Sequence, residues 1–371
     1  MCVNITGNTE KGDGYVGDII FVHVTGKTKD SFPKDYDLVV KGTKKNLNLR
    51  NITPAKTFFR NEIYFYDTVL PAFIAFQLEK GVEDTFNCVP KYYGSFTTDD
   101  QDVLVFENLL TSGYSIWDKR TPLTRNHIDL VVDRYAKFHA ISAAMKNQQT
   151  QKFDELTRPH RQLFKEFDGK FANVKMPFEL AIEEICDLLK GDLDETVASV
   201  KDFKGFEVVT HGDCWNNNFM FQSETVDSSV PSRVRILDWQ ISSVGSPVYD
   251  LSHLLFACIS KEDLNDLDLI LEQYYKSFST YLRRLGSDPD TLYPNTVFLD
   301  EWNKYSRVGI LFTSIVMKIC IVDKDDVPDM LEIAEDEIFD KMFRFDVRNK
   351  TQLRDRIRPI IKYVVENGLI D

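Results

Sequence analysis

The sequence predicts an α+β protein with two lobes, in which an N-terminal antiparallel sheet carries one helix and a larger C-terminal lobe is mostly helical. Short β-branched runs separated by turn residues dominate the first part of the chain. From Thr124 onward, apolar residues instead recur at the three- and four-residue spacing of helices. The chain has 371 residues, of which 43% are hydrophobic, so it can fill two cores. We place the lobes at 1–108 and 109–371, with a hinge at about 107–113.

Composition limits the classes of partner. The net charge is −13, and an acidic surface argues against nucleic acid, which needs a basic face. The six cysteines are scattered without a C-x-x-C pair, which is typical of reduced thiols in a cytoplasmic protein. The most apolar stretch, 308–322, is interrupted by Lys318 and is too short to span a bilayer. We therefore expect a cytoplasmic monomer that acts on small molecules, without a nucleic-acid or membrane partner.

A glycine-rich turn is the first motif along the chain. Gly12, Gly14 and Gly17 spell G-x-G-x-x-G, with Tyr15 between them, and the β-branched run 19–24 follows. A dinucleotide-binding fingerprint would instead follow a strand and open a helix. A glycine turn that feeds a strand is the arrangement that folds over nucleotide phosphates, because backbone N–H groups approach closely where no side chain intervenes. A surface hairpin turn remains the alternative.

A strand and a helix come next and carry one candidate side chain each. The run 36–41 is of strand type and ends at Lys41, the kind of lysine that binds α- and β-phosphates. The run 58–66 has apolar residues at helical spacing and includes Glu62, the candidate ion-pair partner of Lys41. Either residue alone would more often be a solvated surface charge. The order of glycine turn, Lys41 and Glu62 along the chain supports their interpretation as a phosphate-binding ion pair.

The hinge follows two further predicted strands, 89–94 and 103–109, of the same antiparallel sheet. The second strand runs into the breaker cluster 111–114. We expect backbone groups from Glu107 to Leu109 to form hydrogen bonds with the base of a nucleotide.

The most informative motif places two carboxylates and one amide around a predicted hairpin. Three short apolar runs are of strand type: 207–209, 219–221 and 234–237. Asp213 and Asn218 precede the hairpin, and Asp238 follows it. Such a set suits phosphoryl transfer, because Asp213 can accept the proton of an attacking hydroxyl while Asn218 and Asp238 offer oxygen ligands to Mg²⁺. A tight turn without function is the alternative for His-Gly-Asp taken alone.

The rest of the chain predicts a helical lobe that supports this motif. Asp250 lies in the first turn of a helix, where we expect its carboxylate to accept backbone N–H bonds and stabilise the motif region. His139 lies on the apolar face of the helix that begins after Thr124, and we expect a hydrogen-bonded core histidine. Further helices are predicted over 178–190, 270–285, 300–322, 327–343 and 352–367.

Together these motifs resemble the aminoglycoside/choline phosphotransferase branch of the protein kinase-like fold. More narrowly, the chain resembles the ecdysteroid kinase-like family, also called the CHK kinase-like family. The narrower features are the segments 59–66, 104–109, 211–221 and 247–251. The resemblance implies a bilobal kinase-like fold and ATP- and Mg²⁺-dependent phosphorylation of an alcohol, with ecdysteroid hormones as the namesake substrate.

Carried over residue by residue, the resemblance makes Asp213 the catalytic base and Asn218 and Asp238 the metal ligands. It makes Lys41 and Glu62 the pair that binds the phosphates. The sequence departs from the family pattern at Cys214, where leucine is usual, which is a tolerable apolar exchange. Only eleven residues precede the glycine turn, fewer than the family usually has.

Alternative functions stay open at this level. A kinase that detoxifies plant phenols, glycosides or other foreign alcohols would use the same motifs, and the acidic charge would also suit a cationic acceptor. A non-catalytic nucleotide- or steroid-binding protein is disfavoured, because none of the residues expected to bind phosphate or metal or to act as the catalytic base is replaced. These residues are Lys41, Asp213, Asn218 and Asp238. A protein kinase is disfavoured because no D-F-G or A-P-E follows the His-Gly-Asp motif.

Overall fold

The computed structural model describes residues 2–8, 17–27, 32–43, 55–99, 101–171, 204–224, 229–322 and 350–369. Within these ranges the chain has the predicted fold class, an N-terminal antiparallel sheet followed by a larger helical part. Three residues of the glycine turn, Gly12, Gly14 and Tyr15, lie outside the described residues, as do the predicted helices 178–190 and 327–343.

The N-terminal sheet has five strands: β1 (Cys2–Asn8), β2 (Gly17–Lys27), β3 (Pro33–Thr43), β4 (Tyr92–Thr97) and β5 (Asp102–Glu107). Their order is β1-β2-β3-β5-β4, and all neighbours are antiparallel. Burial alternates along β5, as the two-residue period of a strand requires. Lys41 on β3 lies opposite Ile19 and Leu104, and Leu104 is fully buried. Because cross-strand partners share a face, Lys41 points to the covered face of the sheet.

One helical run packs against the sheet. It consists of α1 (Ala55–Tyr64), a π-helical turn (Phe65–Val69) and α2 (Leu70–Glu79). The predicted helix over 58–66 is thus present and continues further. Phe59, Glu62 and Tyr66 are buried, which agrees with their helical spacing in the sequence. The π turn begins directly after α1, and such turns often occur at functional sites.

The predicted hairpin lies between the sheet and the helical part. The short strands are β6 (Ser115–Ile116), β7 (Val208–Thr210), β8 (Phe219–Gln222), β9 (Arg233–Ile236) and β10 (Ser243–Gly245). Strands β8 and β9 pair antiparallel, with Phe219 opposite Ile236. The amide of Leu237 donates to the carbonyl of Asn218 over 2.8 Å. The hairpin register therefore brings the residues before β8 next to those after β9.

The helical part contains α3 (Arg125–Gln148), α4 (Thr150–Phe171), α5 (Pro247–Cys258), α6 (Leu267–Arg284), α7 (Pro289–Leu292), α8 (Asn295–Tyr305), α9 (Arg307–Ile321) and α10 (Lys350–Glu366). Ser246 caps α5, since its Oγ accepts the amide of Val248. The prediction of one helix over 300–322 is wrong, because the chain turns at Ser306. There the amide of Gly309 bonds the Ser306 carbonyl three residues back, which closes a tighter turn than an α-helix.

The buried apolar side chains form one main core that runs from Phe59 in α1 to Leu369 after α10. The N-terminal helical run thus shares a core with the helical part. Across the described ranges, no helix has both the length and the apolar character needed to cross a bilayer.

Candidate active site

The site begins with Lys41 on β3, which reaches two carboxylates. Its Nζ lies 2.7 Å from Oε2 of Glu62 and 2.6 Å from Oδ1 of Asp238. The first contact is the ion pair that the sequence order predicts. The second joins the sheet to the turn after β9, 197 residues further along the chain. Strand, helix and hairpin therefore meet at one ammonium group.

The electrostatics of this group of three are dominated by burial and by negative charge. Burial disfavours the Lys41 ammonium, yet the carboxylates of Asp238 and Glu62 outweigh this effect and raise the pKa of Lys41 above its usual value. Burial raises the pKa of Glu62 to about 7, although Lys41 favours its ionised form. One ammonium thus faces two carboxylates, which leaves an excess of negative charge.

Asp213 and Asn218 form a second pair beside this group. Nδ2 of Asn218 donates to Oδ2 of Asp213 over 2.7 Å and to its carbonyl over 2.9 Å. Burial, and second to it the carboxylate of Asp238, raises the pKa of Asp213 to about 7, while donors from Asn218 and Trp215 act in the opposite direction. A carboxyl group with this pKa can exchange a proton near neutral pH.

His211 holds the backbone on the far side of Asp238. Its Nε2 lies 2.8 Å from the carbonyl of Leu237 and 3.1 Å from that of Asp238, while Nδ1 lies 2.8 Å from the hydroxyl of Tyr135. Carbonyls only accept, so Nε2 carries the proton and Nδ1 accepts from the tyrosine hydroxyl. Burial lowers the pKa of His211, which agrees with this neutral form.

Asp250 stabilises the His-Gly-Asp turn, as the sequence predicts. Its carboxylate accepts the amides of His211 over 2.6 Å and of Gly212 over 2.8 Å. It also lies 3.1 Å from Nε2 of His139, whose Nδ1 contacts the hydroxyl of Tyr274 at 2.8 Å. His139 is fully buried within this network, so the predicted core histidine is confirmed.

Several contributions to the site are not evident from the sequence. Asp238 has φ 62° and ψ 64°, and among the described residues it is the only one besides glycine with a positive φ. Asn61 of α1 donates to the carbonyls of Gln240 and Ser242 in the turn that follows. The ring of Phe65 stacks on Trp239 at 4.0 Å. The sequence of segment 59–66 indicates a role for Glu62. It does not indicate one for Asn61, because asparagine is a common residue in any chain.

The predicted base-binding segment has part of its backbone already bonded. The amide of Glu107 donates to the carbonyl of Lys91, and the amide of Asn108 donates to that of Asp37. The Glu107 carboxylate accepts the amide of Lys91. Leu109 is buried and begins a short 3₁₀ turn that closes at Gly113. Gly17, the one described residue of the glycine turn, begins β2 and packs against Phe59, where a Cβ would lie 2.7 Å from the ring.

The donor set fits Mg²⁺. Because Nδ2 of Asn218 is used by Asp213, its Oδ1 is the atom left for a cation, and Asp238 adds a carboxylate with excess negative charge nearby. In the described part of the chain there is no group of three or more His, Cys, Asp or Glu side chains placed to hold a metal. Mg²⁺ usually takes one or two protein ligands and completes its shell with phosphates and water.

The model of the ecdysteroid kinase-like family matches residues 11–287. No curated protein matches the chain. Solved structures that match include the GDP complex of wild-type aminoglycoside 2'-phosphotransferase-IIIa, with 13% identity and a TM-score of 0.45 over 99% of this chain and 93% of that one. The GDP complex of a point mutant of that enzyme matches with the same identity and TM-score, over 98% and 93%.

Proposed function

Because the chain belongs to the ecdysteroid kinase-like family, we propose that it is an ATP-dependent small-molecule kinase that transfers the γ-phosphate to an alcohol hydroxyl. The observation that carries the proposal is the meeting of the Lys41–Glu62 ion pair and Asp238, with the Asp213–Asn218 pair beside them. An ecdysteroid is the first candidate acceptor, since it gives the family its name.

In the proposed reaction, Asp213 holds the acceptor hydroxyl and takes its proton. The hydroxyl oxygen then forms a bond to the γ-phosphorus while the bond from that phosphorus to the bridging oxygen of ADP breaks. Asn218 keeps the Asp213 carboxylate in place through its 2.7 Å hydrogen bond. The raised pKa of Asp213, about 7, supports a role as proton acceptor near neutral pH.

Nucleotide binding is assigned to four parts of the chain. Lys41, oriented by Glu62, would bind the α- and β-phosphates, and the glycine turn from Gly12 to Gly17 would cover them. Asn218 and Asp238 would hold Mg²⁺, which neutralises phosphate charge when it is bound. Since the amides of Glu107 and Asn108 are already bonded, the base would use the other backbone groups of 107–109.

The proposal is tested by incubating the protein with ATP, Mg²⁺ and a panel of alcohols, followed by mass spectrometry for added phosphate. The panel contains ecdysteroids, plant phenols and glycosides, choline and an aminoglycoside. Asp213→Asn should lower turnover roughly 10²- to 10⁴-fold, because a general base is lost, while calorimetry should find ATP binding largely retained. Asp133→Asn is the matched control, because Asp133 is a half-buried carboxylate on α3 whose partners, such as Lys137 and the hydroxyl of Ser277, are not residues of the site.

The panel separates the candidate functions. An ecdysteroid phosphate that is absent with Asp213→Asn would support hormone phosphorylation. A phosphorylated phenol or glycoside, with ecdysteroids unchanged, would support detoxification by the same mechanism. Normal turnover by Asp213→Asn would overturn the assignment of the base. ATP binding without any product would point to the non-catalytic nucleotide-binding alternative.

A further inference from the structure

Three side chains of the first helical run hold the turn that follows Asp238. Nδ2 of Asn61 donates to the carbonyl of Gln240 over 3.0 Å and to that of Ser242 over 2.8 Å. The backbone amide of Trp239 donates to the carboxylate of Glu62. The ring of Phe65 lies parallel to Trp239, with 4.0 Å between ring centres and 5° between planes. Two hydrogen bonds from Asn61, one hydrogen bond to Glu62 and one ring contact of Phe65 thus join the first helical run to the turn 239–242.

Asp238 needs such support because of its backbone conformation. Its φ of 62° is disfavoured for any residue with a Cβ, so the surrounding contacts must hold it there. On the N-terminal side, His211 bonds the carbonyls of Leu237 and Asp238. On the C-terminal side, the Ser242 carbonyl accepts from Asn61. The turn is therefore fixed at both ends.

The residue type at position 61 matters for this contact. A primary amide nitrogen carries two hydrogens, so Asn61 can serve two carbonyls at once. Asn61 is 6% exposed, and loss of its donors would leave the Gln240 carbonyl without this partner in a buried site. The Ser242 carbonyl would retain the bond from Nδ1 of His160, at 2.9 Å.

We propose that Asn61 is a positioning residue for Asp238, which acts by fixing the turn 239–242 so that the Asp238 carboxylate stays aimed at the metal of the nucleotide. The inference rests on the proposed function, in which Asp238 is a metal ligand. It also links two parts of the site. Because Glu62 follows Asn61 directly and pairs with Lys41, a shift of α1 would displace Lys41 and Asp238 together.

The test compares Asn61→Leu with Gln77→Leu. Leucine has the same branched arrangement of heavy atoms as asparagine but donates nothing. Gln77 is an apt control because it is fully buried in α2 of the same helical run and bonds Phe73, Phe86 and Tyr281, far along the run from Asp238. Both changes remove buried hydrogen bonds, but only the first lies against the turn. All comparisons are made where circular dichroism shows every variant folded.

The first measurement is amide hydrogen exchange in the metal-free protein without nucleotide. In Asn61→Leu, amides in 239–242 should exchange roughly tenfold faster, because two hydrogen bonds that restrain the turn are lost. In Gln77→Leu this segment should exchange as in the unchanged protein. If Asn61→Leu does not fold, Asn61→Ser, which keeps one hydroxyl donor, replaces it and should show a smaller increase.

The second measurement is the Mg²⁺ concentration that half-saturates ATP binding, measured by calorimetry. Partners that orient a metal ligand typically contribute 10- to 100-fold to affinity, so Asn61→Leu should raise this concentration by roughly that factor. ATP binding without Mg²⁺ should stay unchanged, and Asp238→Ala marks the effect of complete ligand loss. Equal shifts in Asn61→Leu and Gln77→Leu, or none in Asn61→Leu, would overturn the proposal.

Failure of the proposed function gives a different result. If the unchanged protein binds no ATP at any Mg²⁺ concentration, the kinase assignment fails. The exchange rates of 239–242 then decide alone whether Asn61 fixes the backbone around Asp238. Unchanged rates in Asn61→Leu would reject that role, whatever the ligand of the site.

Discussion

His160 shows how a single buried side chain can make stability depend on pH. Its Nδ1 donates to the Ser242 carbonyl, and its Nε2 is buried without a partner among the described residues, so a second proton would place a charge in the core. Burial lowers the pKa of His160 from 6.5 to about 4. The unfolded chain therefore binds this proton more readily than the folded one between those two values.

Because the folded-state pKa is the lower one, neutral His160 contributes its full stabilisation above pH 6.5. This stabilisation is lost as the pH falls through 4. The loss amounts to about 3 kcal/mol, from 1.36 kcal/mol per pKa unit. His160→Gln and His160→Phe both remove the titration, so chemical denaturation at several pH values should show equally weaker pH dependence for both. Only glutamine keeps a donor for Ser242, so it should be the more stable variant at pH 7.5. Unaltered pH dependence in both would contradict the assignment.

At the same scale, the sequence could predict the charged residues of the site but not the ones that hold them. Lys41, Glu62, Asp213 and Asp238 were found through residue type, spacing and order along the chain, and the structure brings them together. Tyr135 lies in α3, and nothing in the sequence distinguishes it from the other apolar positions of that helix. Its hydrogen bond to His211 spans 76 residues, and periodicity carries no information about such a contact.

Helices α5 and α9 cross so closely that a glycine is required between them. A Cβ on Gly309 would lie 2.3 Å from the backbone carbon of Ser252 and 2.6 Å from the amide nitrogen of His253. Those atoms belong to a helix backbone and cannot rotate away. The contact also matters for the site, because α5 carries Asp250, which holds the amides of His211 and Gly212.

We therefore expect Gly309→Ala to destabilise the protein by about 1–3 kcal/mol, the usual cost of overpacking. Gly7→Ala is the control, because the added Cβ would meet nothing closer than 3.7 Å, and it should change stability by less than about 0.5 kcal/mol. Urea denaturation of both variants measures the difference. Equal stability of the two variants would show that α9 can move off α5 without cost.

Many element positions are predictable from the sequence, and two of the differences have local causes. Strands and helices were found because their apolar residues repeat at periods of two and 3.6. The break between two helices at Ser306 is not evident from the sequence, because the apolar pattern continues through it. The continuation of the first helix through a π turn to Glu79 was missed because its apolar residues cover most of its surface, which hides the period.

On the scale of the whole molecule, the core joins the two sequence lobes instead of separating them. Phe138 on α3 contacts the rings of Phe65, Phe73 and Phe86, all of which precede residue 108. Tyr281 on α6 donates to Gln77 on α2 over 2.8 Å within the buried interior. The helical run that follows β3 thus packs into the same main core as the helical part. The boundary at 108 and the hinge at about 107–113 stay predictions from changes in pattern, and they do not by themselves imply independent folding.

We therefore propose that segments 1–108 and 109–371 unfold together. All four tryptophans, Trp117, Trp215, Trp239 and Trp302, follow residue 108, so their fluorescence reports the second segment, while hydrogen exchange of β2 and β3 reports the first. Phe138→Ala should destabilise the protein by about 3–5 kcal/mol, because it leaves a cavity among three rings from the first segment. Both probes should shift by the same free energy in this variant. A shift in tryptophan fluorescence alone would mean that the sheet unfolds independently of the helical part, and that the shared aromatic core does not couple the two segments.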